Sequence, residues 1–221
     1  MIKTDEQLKK DIIDQLYWDA RIDASDITVE VNNSTVTLRG TVPTYLCATA
    51  AYSDAADVLG VAAVKNEIQV TYPETFELPT DEEIEARLIE RLAANPDINV
   101  MDLEVLAVAG TVKLTGTVDA YWKKFHAEKI CALESGVVQI ENHLTVVPTE
   151  KIIDKDIARD IMTTLELKAD VEADDVNVEV SDGHVLLNGT LPTWTARQAA
   201  HDAALYTPGV TTVENRLFVA P

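Results

Sequence analysis

Residues 36–42 read VTLRGTV, residues 112–118 read VKLTGTV and residues 185–191 read VLLNGTL. One seven-residue phrase written three times indicates an internal repeat, which has to be resolved before any element is assigned. With the chain aligned on Gly40, Gly116 and Gly189, a second glycine follows twenty residues later in every copy, at Gly60, Gly136 and Gly209. An asparagine follows six residues after that, at Asn66, Asn142 and Asn215. Upstream, Leu8, Ile84 and Ile157 align, as do Ile12, Leu88 and Ile161, and Leu16, Leu92 and Leu165. No gap is needed inside a copy. Residues 1–72, 78–147 and 151–220 are therefore read as three tandem domains. They are joined by Pro- and Glu-bearing linkers near YPETFELP (72–79) and VPTEK (147–151).

Each copy opens on an amphipathic helix, since Leu8, Ile12 and Leu16 recur at i, i+4 and i+8. Thr4 with Gln7 and Thr80 with Glu83 have capping-box spacing, a signal that copy three lacks. Two alternating segments follow, ITVEV (27–31) and VTLRGTV, around a tight turn. In copy three the turn is Asp182-Gly183, a strong hairpin signal, and in copy two it carries Ala109-Gly110. A second, alanine-rich helix runs from about Thr44 to Leu59, ahead of Gly60. The unit closes on a strand, AVKNEIQV (63–70), VQIENHLTV or TTVENRLFV. The fold class is α+β, three αββαβ units, each a three-stranded mixed sheet with both helices on one face. The repeated glycines are read as positions of unusual φ/ψ or close backbone approach.

Gly60-Val61, Val64, Asn66, Ile68 and Val70, with their counterparts from Gly136 and Gly209, complete a pattern that resembles the BON domain. The resemblance spans nearly the whole chain and extends to osmotically inducible proteins built of BON repeats. It implies binding without catalysis, to phospholipid or cell-envelope components, in a stress or envelope-maintenance role. Many members of that family are periplasmic. Here the start, MIKTDEQLKKDIIDQL, has no apolar h-region, so the expectation is a cytoplasmic protein, or a periplasmic one if an export signal precedes it.

The net charge of −20 is spread evenly. Six basic residues face eleven acidic ones over 1–73, six face fourteen over 74–147, and six face thirteen over 148–221. Without basic clusters, nucleic acid is a poor partner. No transmembrane segment is expected, because no apolar run approaches the ~18 residues of a span. Two cysteines 84 residues apart make neither a disulfide framework nor a metal site, and no cofactor is expected. Cys131 aligns with Ala55 and Ala204 and is expected on the packed face; Cys47 aligns with Lys123 and Ala196 and is expected to be more exposed.

Five residues past each phrase glycine lies an aromatic: Tyr45, Tyr121 and Trp194. Copy two adds Trp122, Lys123, Lys124 and Phe125, and copy three adds Arg197. Aromatic and basic residues at a helix start suit a lipid interface. The same aromatics could instead cover the small cores. The candidate ligand- or membrane-binding set is Tyr45, Tyr121, Trp122, Lys123, Lys124, Trp194 and Arg197. A soluble stress-protective or scaffolding protein that binds other proteins is the alternative reading.

Overall fold

The computed structural model describes residues 3–73 and 75–220; residues 1–2, Glu74 of the expected first linker, and 221 lie outside the described residues. Copy one consists of α1 (Asp5–Trp18), β1 (Ile27–Asn32), β2 (Thr35–Val42), α2 (Tyr45–Asp57) and β3 (Ala63–Val70). Copy two consists of α3 (Asp81–Ala93), β4 (Leu103–Val108), β5 (Thr111–Val118), α4 (Tyr121–Cys131), β6 (Gln139–Asn142) and β7 (Thr145–Val146). Copy three consists of α5 (Asp154–Glu166), β8 (Val176–Ser181), β9 (His184–Leu191), α6 (Trp194–Leu205) and β10 (Thr212–Val219).

The repeated phrase is the central strand of each sheet. β1 pairs with β2 antiparallel, with Val29 opposite Leu38, and β3 pairs with β2 parallel, with Asn66 opposite Leu38. The other two copies repeat that order. Copy two departs from expectation at its last strand, which breaks at His143 into β6 and β7, both on β5. The capping boxes of Thr4 and Thr80 form, while α5 begins at Ile153 without a side-chain cap. Each core joins the first helix, one sheet face and the second helix, as in the cluster of Leu8, Ile12, Leu16, Val36, Leu38 and Ala51. Alanines at the contact let the second helix lie close to the strands.

The repeat also carries a bond that its sequence pattern does not announce. The first residue of each first helix is an aspartate, and its carboxylate accepts both amides of the hairpin turn. Asp5 takes Asn33 N at 2.9 Å and Ser34 N at 3.1 Å. Asp81 takes Ala109 N at 2.8 Å and Gly110 N at 3.0 Å. Asp154 takes Asp182 N and Gly183 N, both at 2.9 Å. The turn residues sit at positive φ, between 47° and 75°, the mirror-image turn that suits the twist of a hairpin. Two orphan amides are thereby satisfied by a charge placed at the positive end of the helix dipole.

The asparagines hold the other end of the unit. Asn66 and Asn142 donate to the carbonyls of Ala48 and Lys124 on the second helix, at 2.9 and 2.8 Å. Each asparagine accepts the amide two residues on, at Ile68, Leu144 and Leu217. In copy two Glu85 caps the edge strand by accepting Ala107 N at 2.8 Å, which closes one site of unwanted strand pairing.

The phrase glycines meet a backbone rather than a ligand. Gly116 lies at φ +114°, and a Cβ there would sit 2.1 Å from the carbonyl oxygen of Asp102. Gly40 and Gly189 face the carbonyls of Asp26 and Asp175 in the same way. We expect Gly116→Ala to cost about 3 kcal/mol or more, combining the strain of the backbone with a clash that only main-chain movement relieves. Thermal denaturation beside Ala132→Gly, an exchange just past the end of α4, measures it; equal losses in the two variants would contradict the close approach.

Candidate functional site

The second helices of the three copies start on the aromatics singled out above. Thr44 caps α2 and Thr193 caps α6 with their hydroxyls, whereas Ala120 leaves α4 uncapped. The caps fix the helix starts at the ends of β2, β5 and β9, so the aromatics all leave the same corner of their unit. What they meet is the next copy.

Tyr45 is half-buried against the core of copy two. Burial, then the nearby charge of Glu128, raises its phenol above the ordinary range. Tyr121 is only 8% exposed and belongs to the core cluster of copy three, with Trp122 and Phe125 packed on the same cluster. The rings of Tyr121 and Phe125 stand edge to face at 5.1 Å, and Phe125 stands the same way on His201 at 6.0 Å. Trp194 of copy three meets Tyr52 of copy one at 6.1 Å, with an interplanar angle of 79°. Arg197 lies 4.6 Å over the Trp194 ring.

Tyr52, Glu128 and His201 occupy the same aligned position, two turns into the second helix. Copy one therefore docks on copy two, copy two on copy three, and copy three back on copy one: Tyr45 lies near Glu128, Phe125 stands on His201 and Trp194 on Tyr52. Such heterologous, head-to-tail contacts close a ring when the rotation allows it, and here three copies suffice. The hydroxyl of Tyr72 strengthens the first contact: it accepts Gly136 N at 2.8 Å and donates to the Val137 carbonyl at 3.3 Å.

The expected open aromatic edge is thus corrected in its geometry. The rings of Tyr45, Tyr121, Trp122 and Trp194 are spent between copies, because each 70-residue unit leaves a core too small to cover itself. Tyr45, Tyr121 and Trp122 do cover a core, but the neighbour's, while Trp194 stands on Tyr52 of copy one. Arg197 is half-buried beside Trp194, with its Nε on the Leu217 carbonyl at 2.9 Å. Lys123 pairs with Asp119 at 2.9 Å, and Lys124 is half-buried at the copy-two start of the helix.

Two cysteines and two charged clusters complete the inventory. Cys47, expected to be the more exposed thiol, is buried, with Sγ donating to the Arg21 carbonyl at 3.0 Å. Cys131 lies on the packed face as expected, and burial pushes its thiol up to about 12. Glu134, buried at a turn of copy two, takes Arg91 at 2.6 Å and Arg87 at 3.6 Å. In copy one Arg21 binds Asp19 through Nε at 2.9 and 3.0 Å and reaches Asp54 at 3.6 Å. The guanidinium hydrogen bonds hold Asp19 down to about 2. Desolvation, then the charge of Asp19, drives Asp54 up to about 6. Asp54 is 7% exposed, and its Oδ2 has no protein partner.

The largest exposed aromatic surface lies outside the candidate set, at the C-terminal end of α1. Tyr17 is 75% exposed and Trp18 79%, with rings edge to face at 5.5 Å. Ile13, one turn earlier, is also exposed. Copies two and three carry Ala93-Ala94 and Glu166-Leu167 there, so the repeat pattern did not single this pair out. Among the described residues no helix is long and apolar enough to cross a membrane, and no cluster of metal-ligating side chains is assembled.

Comparison with known proteins completes the reading. The BON domain family matches residues 4–72, 80–148 and 153–221, and the chain belongs to that family. It is similar to osmotically-inducible protein Y of Escherichia coli (strain K12), with 31% identity over 143 residues, covering 62% of this chain and 71% of that protein. Among solved structures, the C-terminal domain of CdsD, the structural protein of the type III secretion system of Chlamydia trachomatis, is 14% identical with a TM-score of 0.28; the match covers 99% of this chain and all of that one. A second CdsD structure gives 14% identity, a TM-score of 0.27, and coverage of 96% and 91%.

The Asp54 site gives a pH signature. Its folded pKa is raised from 3.8 to about 6, so the stability it contributes is full below the unfolded value and lost as pH rises through about 6. Asn carries no charge to desolvate. We expect Asp54→Asn to stabilise the protein by about 1–3 kcal/mol at neutral pH, with the gain gone near the unfolded carboxylate pKa. Thermal melts across that range test it; a variant that is less stable at neutral pH would show that Arg21 needs the charge.

Proposed function

We propose that this chain is a non-enzymatic tandem module that attaches peripherally to phospholipid surfaces in a stress or cell-envelope role. The observation that carries the reading is the Tyr17–Trp18 pair, two rings left in water where every second-helix aromatic of the candidate set is packed at least in part. Amphipathic rings of this kind sit at headgroup level, with their apolar bodies toward the acyl chains and their polar atoms in water. Ile13 extends the pair along the same helix face. Membership of the BON family supports the lipid reading, and the relative named for its osmotic induction supports the stress role.

The charge of the chain decides what kind of attachment this is. At −20 the protein is repelled by an anionic surface, so ring insertion has to drive binding. Attachment at neutral pH is therefore weak and favours zwitterionic vesicles. On anionic vesicles it strengthens with salt, because salt screens the repulsion.

Co-sedimentation with phosphatidylcholine vesicles at neutral pH tests the proposal. Wild type is expected in the pellet fraction, and Tyr17→Ala/Trp18→Ala is expected to lose about tenfold or more in partitioning, the loss of two interfacial rings. The fold is not at stake, since both side chains are exposed. Equal partitioning of variant and wild type would move the contact elsewhere, and absence of binding by either, with suppression of client aggregation, would select a protein-binding role.

A further inference from the structure

The three slots of the ring differ in one chemical respect. Position 52 holds a tyrosine, position 128 a glutamate and position 201 a histidine. The contact between copies two and three, which seats Tyr121, Trp122 and Phe125, is thus the one closed over an imidazole. His201 has a side chain 19% exposed, its ring stands at 85° to that of Phe125 with centroids 6.0 Å apart, and its Nδ1 has no hydrogen-bond partner among the described residues. The groups that bear on it are few. Asp202 stands 3.8 Å away on the same helix, Arg197 lies one turn earlier, and α4 presents Phe125 and, behind it, Tyr121. Asp202 favours a cation there and Arg197 opposes one. No charged group from copy two adds a resolved effect on the imidazole.

We propose that the contact between copies two and three is a proton-operated joint: protonation of His201 against Phe125 parts the two copies and uncovers Trp122, Lys123, Lys124 and Phe125 as an aromatic–basic patch for an anionic lipid surface. The closed ring holds a neutral imidazole at this contact. A charged one has to be desolvated beside a phenyl ring, with the Asp202 carboxylate 3.8 Å away and short of a full hydrogen bond, so it favours the open arrangement, in which water solvates it. Burial accordingly lowers the His201 pKa below its ordinary 6.5, the first of its causes. A depressed histidine contributes stability that is present above the unfolded pKa and lost as pH falls through the folded one, so acidification opens this joint. Asp54 works in the opposite sense but inside copy one, where it does not touch the contact.

Opening brings out the cations that the closed ring uses locally. Lys123 lies 5.8 Å from the Trp122 ring centroid and Lys124 is its neighbour, on the one stretch of the chain where two lysines interrupt three aromatics. On an anionic surface such a patch gains from both insertion and charge. This part rests on the lipid reading above, but it concerns a second, hidden surface and a different lipid charge.

Two measurements across about pH 7.5 to about pH 5.5 test it: the radius of gyration by small-angle scattering, and co-sedimentation with phosphatidylcholine vesicles with and without phosphatidylglycerol. Wild type is expected to expand and to gain affinity for the anionic vesicles severalfold or more on acidification. His201→Phe and His201→Gln, which cannot be protonated, are expected to stay compact and gain nothing; two variants guard against either one misfolding. A wild type that stays compact, or variants that expand with it, overturns the joint. Expansion without added binding to anionic vesicles overturns the lipid half and leaves the joint. Loss of the neutral-pH binding in Tyr17→Ala/Trp18→Ala reports on the other surface alone.

Discussion

The constraint on which the structure depends is the shortage of core in a unit of about 70 residues. Each copy offers two helices and one small sheet, and its second helix turns mostly small residues to the strands, alanines in copies one and three and Ala127 with Cys131 in copy two. Alanines bury little area each, at roughly 25 cal/mol per Å². The deficit is made good across copies. Tyr121 leaves its own unit and completes the core of the next, and a buried tyrosine brings about 150–250 Å² with it. The ring of three is the consequence. Once each unit has a head that carries an aromatic and a tail that receives one, three units in a single chain can satisfy one another without leaving a spare end.

Local bonds make that exchange dependable. The aspartate clasp fixes the first helix against the hairpin turn, the glycine lets the central strand touch the carbonyl before its partner strand, and the asparagine ties the last strand to the second helix. All three act on the backbone; the clasp and the glycine recur in every copy, and the asparagine's tie to the second helix in copies one and two. They define where the second helix starts and hence where its first aromatic points. The proposed binding surfaces are made by residues that break the repeat: the Tyr17–Trp18 pair of copy one, the lysines of copy two, and His201 of copy three.

Much of this was legible in the residues. Aligning Gly40, Gly116 and Gly189 located the central strands, and the apolar spacing at Leu8, Ile12 and Leu16 located the first helix. The clasp could have been found the same way, since Asp5, Asp81 and Asp154 align; it was hidden because an acidic residue opening a helix already has a sufficient explanation in the helix dipole. The destination of Tyr121 was not legible. A sequence shows that an aromatic begins a helix but not which copy it faces, and the receiving position varies as Tyr52, Glu128 and His201. Cys47 reads as the more exposed of the two thiols and is so, at 9% against 0% for Cys131, yet it is still buried, in a small cluster with Val42 and Ala48. The break of the last strand in copy two lies at His143, whose alternation continues unbroken in sequence.

The ring closes where no linker holds it, at the contact of copy three with copy one. A nuclear Overhauser experiment on the intact chain, with the tryptophan indoles and tyrosine rings selectively labelled, addresses that contact directly. The account predicts cross-peaks between the Trp194 indole and the Tyr52 ring, whose centroids stand 6.1 Å apart. Their absence, with cross-peaks retained between Tyr17 and Trp18, whose centroids stand 5.5 Å apart, would show three copies joined as an open string and would contradict the closed ring.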